Sequence, residues 1–286
     1  MTLSKNTIRQ YLSKINRLNM LLIPFDASIS TDDIVDRLSK KNLSISTIKG
    51  YLTAIIWKLK ADNFINPIFL SSLSAKINSF SSIIQADIDK NLLSLTQQKS
   101  FISWNDILLV HSRLKSFHSP RSHVNFVLLS LYVLFPPRRI HDYSHMFLVF
   151  DKINIIDNSK NYLVLSSTPL FIFNDYKTKL TYGSQEFIIT PDLALILHAF
   201  VDNLHILNGN SLLHMSDLRL IRRLNSIFLK FTNKKVSANI IRHSFITHCF
   251  DSLILRSKLS RIDIASKMAH SILMQIDYYK IINSTL

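Results

Sequence analysis

Apolar residues recur at helical spacing through most of the first 60 positions. Ile8, Leu12, Ile15 and Leu18 form one stripe, with Arg9, Lys14 and Arg17 lying away from it. Residues 30–33 (STDD) place hydroxyl and carboxylate oxygens where a helix N-terminus needs acceptors and negative charge, just ahead of Ile34, Val35 and Leu38. Ser46 or Thr47 can cap a third helix whose apolar face is Ile48, Tyr51, Leu52, Ile55, Ile56 and Leu59, with Lys49, Lys58 and Lys60 outside it. The polar stretch QADIDKNLLSLTQQK (85–99) is a connector, and a boundary near residue 95 divides a helical domain, 1–95, from a second domain, 96–286. From Trp104 the spacing predicts helix through Phe135, broken by Pro136 and Pro137. Short β-rich runs follow at 153–156, 162–165, 170–173 and 187–189, with a turn at Asp157 and Asn158, and predict a small antiparallel sheet inside a helical domain. Pro191 opens a helix carrying Leu193, Leu195, Ile196, Leu197 and Phe200, and the chain reads as helical from there on. The fold class is therefore mainly α with a small antiparallel β-sheet.

Composition narrows the function. The 286 residues hold 34 Lys and Arg against 19 Asp and Glu, a formal charge of +15, so a polyanion is the expected partner and nucleic acid leads an anionic membrane surface. The dominance of Asn, Ser, Ile and Lys also carries the mark of an AT-rich genome, which tempers the charge argument. The three glycines, Gly50, Gly183 and Gly209, cannot spell GxGxxG, a P-loop or GxSxG. The single cysteine, Cys249, excludes an intrachain disulfide and any multi-cysteine zinc site, fits a reducing compartment and leaves no structural metal expected. The longest apolar stretch, 124–135, is interrupted by Asn125 and Ser130 and falls short of the roughly 18–20 residues a membrane span needs. The N-terminus lacks the compact apolar region of a signal peptide. The expectation is an intracellular protein, neither secreted nor membrane-bound.

Three segments carry candidate chemistry. NIIRHSFITHCF (239–250) contains Arg242 and His243; 28 residues after Arg242 comes His270 in MAHS, and nine residues after that comes Tyr279. PPRRIHDY (136–143) supplies Arg139 and Asp142, and YKTKLTYGSQ (176–185) supplies Lys177 and Lys179. Alone, each has an ordinary structural reading: a basic turn, solvated hairpin lysines, packed aromatics near a C-terminus. Together and in this order they resemble the boxes of the tyrosine recombinases, the phage-integrase superfamily, over about residues 100–286. The PPRR and YKT…YG forms are reminiscent of the branch found in large DNA viruses, virophages and mobile elements.

The resemblance implies a helical core-binding, DNA-clamping domain followed by a catalytic domain that breaks and rejoins DNA through a 3′-phosphotyrosine. Its catalytic residues would be Arg139, Lys177, Arg242, His270 and Tyr279, with Asn239, His243 and Asp142 touching the DNA phosphate or supporting those that do. Lys179 and Tyr278 remain alternatives to Lys177 and Tyr279. The chemistry suits the residue types. Guanidiniums offer fixed charge to the oxygens of a five-coordinate phosphorus without a metal, a phenol ionises more readily than an aliphatic hydroxyl, and a lysine can protonate the departing 5′ oxygen. No cofactor and no metal are implied. The implied partners are double-stranded DNA and three further copies of the chain in a tetramer on paired sites, exchanging strands through a Holliday junction, with accessory DNA-bending proteins allowed. Integration or excision of a viral or mobile element is the implied role, in the host nucleus, the cytoplasm or a viral factory.

Three departures bear on this. Asn239 stands where the family usually has histidine, so it can hydrogen-bond but cannot exchange a proton near neutral pH. Ala269 precedes His270 where glycine is common. Only seven residues follow Tyr279, so exchange of a tail helix between protomers is not expected, while a swapped short strand is still allowed. The rival functions are a tyrosine topoisomerase relaxing supercoils, a catalytically inactive DNA-binding protein on the same fold and, with weaker support, an RNA-binding protein.

Overall fold

The computed structural model describes residues 5–21, 23–25, 29–63, 66–116 and 120–281. The chain divides into two compact units, Met1–Lys90 and Asn91–Leu286.

The first unit is helical: α1 (Lys5–Met20), α2 (Thr31–Ser39), α3 (Ile45–Ala61) and α4 (Pro67–Asp89). The hydroxyl of Ser30 accepts from Asp33 N at 3.1 Å, so α2 begins where the STDD pattern predicts. The α3 cap is Ser44, whose hydroxyl accepts from Thr47 N at 3.2 Å, two residues before Ser46 and three before Thr47. Asn66 caps α4 by accepting from Phe69 N, and Pro67 occupies the first turn, where its missing N–H is not needed. Leu18, Ile34, Leu38 and Leu52 are fully buried in this unit's core, each contributing about 1.5–3 kcal/mol of transfer free energy.

The second unit contains α5 (Leu95–Ser100), α6 (Trp104–Lys115), α7 (Pro120–Val133) and α8 (Ile140–Ser144), then β1 (Met146–Val149), β2 (Asn161–Val164) and β3 (Leu170–Phe173). It continues with α9 (Lys179–Tyr182), β4 (Gln185–Ile188), α10 (Pro191–Asn203), α11 (Asp217–Thr232), α12 (Ala238–Asp251), α13 (Lys258–Lys267) and α14 (Ile272–Tyr278). The helix expected from Trp104 to Phe135 is two helices. Ser116 closes the first by donating its hydroxyl to Arg113 O, and Pro120 opens the second, a position where its missing N–H costs nothing.

The sheet has the order β1-β2-β3-β4 and is mixed, a correction to the all-antiparallel expectation. β2–β3 and β3–β4 pair antiparallel, with Leu163 opposite Phe171 and Phe171 opposite Phe187, whereas β1 lies parallel to β2 with Phe147 aligned to Tyr162. Residues 153–156, expected as a strand, form the end of a 3₁₀ turn (Lys152–Asn154) and loop. Asp151 accepts from Ile153 N and turns the chain, and Ile153 and Ile156 are almost fully exposed, so no partner face rewards an extended conformation here. One face of the sheet joins the main core through Leu148, Leu163, Phe171 and Phe173, and the other carries Val149, Tyr162, Val164 and Ile172.

Candidate active site

Two adjacent arginines follow the Pro136–Pro137 break, and the fold gives them different surroundings. Arg138 is fully buried: its Nε donates to Asp142 Oδ2 at 2.7 Å, and its Nη1 donates to Gln185 Oε1 and to Lys267 O. Its guanidinium lies 3.7 Å from the Phe173 ring centroid. Arg139 caps the N-terminus of α8, is only partly buried, and donates through Nη1 to Ala269 O at 3.0 Å. Burial first, and the neighbouring Arg242 charge second, hold its pKa below the ordinary arginine value. Asp142, expected to orient a catalytic arginine, supports Arg138 and not Arg139.

Arg242 lies on α12 and is 1% exposed. Its Nη1 donates to Pro137 O (2.6 Å) and Met268 O (3.1 Å), its Nε donates to the hydroxyl of Tyr278 (3.1 Å), and its Nη2 has no hydrogen-bond partner. Among the described residues neither Arg139 nor Arg242 has a carboxylate within ion-pair distance, in contrast to Arg138.

These arginines meet on the end of α13. Successive carbonyls there are taken by Gln185 (on Ser266), Arg138 (on Lys267), Arg242 (on Met268), and both Arg139 and Thr178 (on Ala269). A helix C-terminus leaves its last carbonyls without intrahelical donors and gives them partial negative charge, so guanidiniums are suited partners. The helix closes with His270 N donating to Ala265 O and Ala269 N to Ser266 O, which requires a left-handed residue at Ala269 (φ 53°). That backbone requirement is the physical reason for glycine at this point, and Ala269 meets it with its methyl buried.

The structure brings Tyr278, not Tyr279, to the arginines. Tyr278 is buried at the end of α14, one turn after the buried Gln275. Its hydroxyl accepts from Arg242 Nε and donates to Asn239 Oδ1 at 3.3 Å. Tyr279 follows in extended conformation, turned so that its ring packs 5.1 Å from Phe250. The residue nine after His270 thus lies against Phe250, and the one before it contacts Arg242.

Two histidines surround the phenol in neutral form. His243 Nδ1 lies 2.9 Å from Tyr278 O, and because a carbonyl only accepts, Nδ1 carries the proton and Nε2 accepts from Asn239 Nδ2 and Gln97 Nε2. Burial depresses its pKa to about 4. His270 is fixed in the same way: Nδ1 donates to Ser271 O at 2.9 Å, which leaves Nε2 unprotonated, 3.4 Å from Met268 Sδ, and burial lowers its pKa to about 4, helped by the charges of Arg242 and Arg139. The hydrogen bonds thus run from Arg242 to Tyr278, to Asn239 and on to His243. Asn239 orients the phenol but cannot take its proton.

Lys177 sits exposed on the β3–β4 connection, and its ammonium makes no ion pair or hydrogen bond among the described residues. Thr178 ties its segment to Ala269, and the segment is also held by Asn161, which sequence reading missed. Asn161 is fully buried, donates to Asp142 O and Asp175 O, and accepts from the backbone N–H groups of Asn174 and Asp175. Lys179, in α9, instead lines a shallow cavity with Lys152 and Glu186. Gln97, Arg138 and Gln185 are the other supporting residues that sequence reading passed over. The only hint in the sequence was the doubled arginine of PPRR. A separate cluster, His141, His145 and Asp217, has the donor types to hold a metal.

The arrangement is a tyrosine hydroxyl hydrogen-bonded to one of two guanidiniums that lack carboxylate partners among the described residues, flanked by neutral imidazoles. No protein-family model matches the chain. No curated protein matches it. Among solved structures, the chain is similar to a crystal structure of XerA recombinase, with 15% sequence identity and a TM-score of 0.46 over 99% of this chain and 90% of that one. Among the described residues, no helix is long and apolar enough to cross a membrane.

Proposed function

We propose that the chain is a DNA-breaking and rejoining enzyme of the tyrosine recombinase type, acting in site-specific recombination that integrates or excises a viral or mobile element. The observation that carries the reading is the Tyr278 hydroxyl set against Arg242, with Arg139 beside it and, among the described residues, no carboxylate neutralising either guanidinium. The net positive charge supplies the long-range attraction to duplex DNA, read mainly through its phosphates. As in the resembling family, the working unit would be a tetramer on two paired duplexes, cutting through a Holliday junction.

In the reaction, Tyr278 Oη attacks a scissile phosphorus, forming a 3′-phosphotyrosine bond as the bond to the 5′ oxygen breaks. Arg139 and Arg242 hold the nonbridging oxygens where charge accumulates, and removing either is expected to lower cleavage about 10²–10³-fold. As Oη attacks, the phenol proton, held by Asn239 Oδ1 before reaction, passes to His270, whose ring centroid lies 5.4 Å from that of Tyr278 and whose Nε2 must first leave Met268 Sδ. Lys177, without a competing partner among the described residues and on a segment anchored to Ala269, donates a proton to the leaving 5′ oxygen. Rejoining reverses these steps and needs no nucleotide. Tyr279 packs, His243 fixes Asn239, and Asn239 aligns the phenol.

The test uses a nicked duplex from the ends of the encoding element, incubated without nucleotide and separated on a denaturing protein gel. A covalent protein–DNA band is expected with the natural chain and with Tyr279→Phe, and none with Tyr278→Phe. A band that persists in Tyr278→Phe and vanishes in Tyr279→Phe would refute the assignment. Tight DNA binding with no band from the natural chain would refute catalysis.

A further inference from the structure

Beyond the Arg139 and Arg242 pocket, α8 presents a second cluster toward solvent. His141 Nδ1 lies 3.3 Å from Asp217 Oδ2, and His145 Nε2 lies 3.5 Å from Asp217 Oδ1. One donor atom from each of the three residues lies within 4.8 Å of the others. Donors about 2.0–2.1 Å from a tetrahedral zinc ion stand roughly 3.3 Å apart, and each imidazole already lies near that distance from one oxygen of the Asp217 carboxylate, a different oxygen for each, so a small rotation of the carboxylate would bring three donors onto one ion. The surroundings match as well. His141 Nε2 is 3.2 Å from Asp175 Oδ2, the carboxylate partner that fixes a ligating histidine's tautomer and leaves its other nitrogen free for metal. The hydroxyl of Ser144 donates to Asp217 and restrains the carboxylate. His141 and His145 are one helical turn apart, with ring centroids at 4.4 Å.

We propose that His141, His145 and Asp217 bind one divalent transition-metal ion of the zinc class, with Asp175 as the positioning residue and a fourth coordination position open to water. The donor set of two imidazoles and a carboxylate suits zinc or cobalt and disfavours magnesium or calcium, which take oxygen ligands. The expectation of no metal rested on the single cysteine, which speaks only to thiolate sites, and on the family resemblance, which speaks only to the catalytic site. Bound metal would join α8, which follows Arg139, to the start of α11 and, through Asp175, to the segment bearing Lys177.

The site is tested on the full chain without DNA, so its outcome is independent of the recombinase reading. Protein stripped with chelator is titrated with Zn²⁺ by calorimetry and with Co²⁺ by visible absorption. One equivalent of Zn²⁺ and the intense visible bands of four-coordinate Co²⁺ are expected in the natural chain. His145→Ala, at an exposed position, is expected to abolish the cobalt bands, and Asp175→Asn to weaken zinc affinity about 10- to 100-fold. Absence of stoichiometric binding, or binding unchanged by His145→Ala in a variant that keeps its melting temperature, overturns the proposal.

Discussion

Replacing Arg138 and replacing Arg139 are expected to have opposite consequences, although the two are neighbours and chemically identical. Asp142 is fully buried, its Oδ2 is held by Arg138 Nε, and its Oδ1 has no hydrogen-bond partner. Arg138→Met therefore strands a buried carboxylate, which costs about 3–5 kcal/mol. At roughly 2–4 °C per kcal/mol for a domain of 150–250 residues, the second unit's melting temperature falls by about 6–20 °C. Arg139→Met removes one hydrogen bond from a partly exposed group and relieves repulsion with Arg242, so its cost stays near or below about 1 kcal/mol. Trp57 lies in the first unit and Trp104 in the second, so a Trp57→Phe background makes tryptophan fluorescence a reporter of the second unit alone. Arg138→Met with Asp142→Leu is expected to recover most of the lost stability, because both members of the buried pair are gone. Arg139→Met is expected to melt normally and fail to capture DNA covalently. Equal destabilisation by the two single variants, or a loss under about 1 kcal/mol in Arg138→Met, would refute the division of labour between them.

Acid is expected to weaken the fold between about pH 6.5 and 4. His111, His243 and His270 each have a folded pKa near 4, below the 6.5 of an unfolded chain, chiefly through burial. Above pH 6.5 both states are neutral; below it the unfolded chain gains protons that the folded one refuses, so each site removes up to about 3 kcal/mol by pH 4. Urea unfolding across this range checks it, and a flat profile, or no change in slope in His111→Gln, counts against it. Gly183 has φ 69° and ψ −158°, a conformation essentially confined to glycine, with nothing within 4 Å of a Cβ added there. Gly183→Ala is thus expected to cost about 1–3 kcal/mol from the backbone alone, and a measured loss below a few tenths would show that the connection relaxes freely.

The sequence made the motif residues legible because their side-chain types are tied to chemistry, and it made most helices legible because their apolar faces repeat. It was blind where burial defies hydropathy. In α14 the buried positions are Gln275 and Tyr278, while Leu273 is 75% exposed and Ile276 49%, so no apolar stripe could show which tyrosine turns inward. The apolar run of β1 fits a strand of either direction, and its parallel pairing depends on a loop whose own isoleucines face solvent. The role of Arg138 was hidden because Gln185 and Lys267 reach it from 47 and 129 residues away.

The placement of counter-charge was also invisible in the sequence, and it bears most on function. A buried arginine needs something to offset its desolvation, and a carboxylate is the usual partner. Arg138 has one, which makes it structural and electrostatically spent. Arg139 and Arg242 are offset instead by backbone carbonyls at the end of α13 and by Pro137 O, which hold the guanidiniums in position while carrying only partial charge. Both neighbouring histidines are kept neutral by burial, so they neither cancel that charge nor add to it. What remains beside Tyr278 is positive potential with fixed geometry, which in the proposed reaction would stabilise a phosphorane whose charge develops only as the tyrosine attacks.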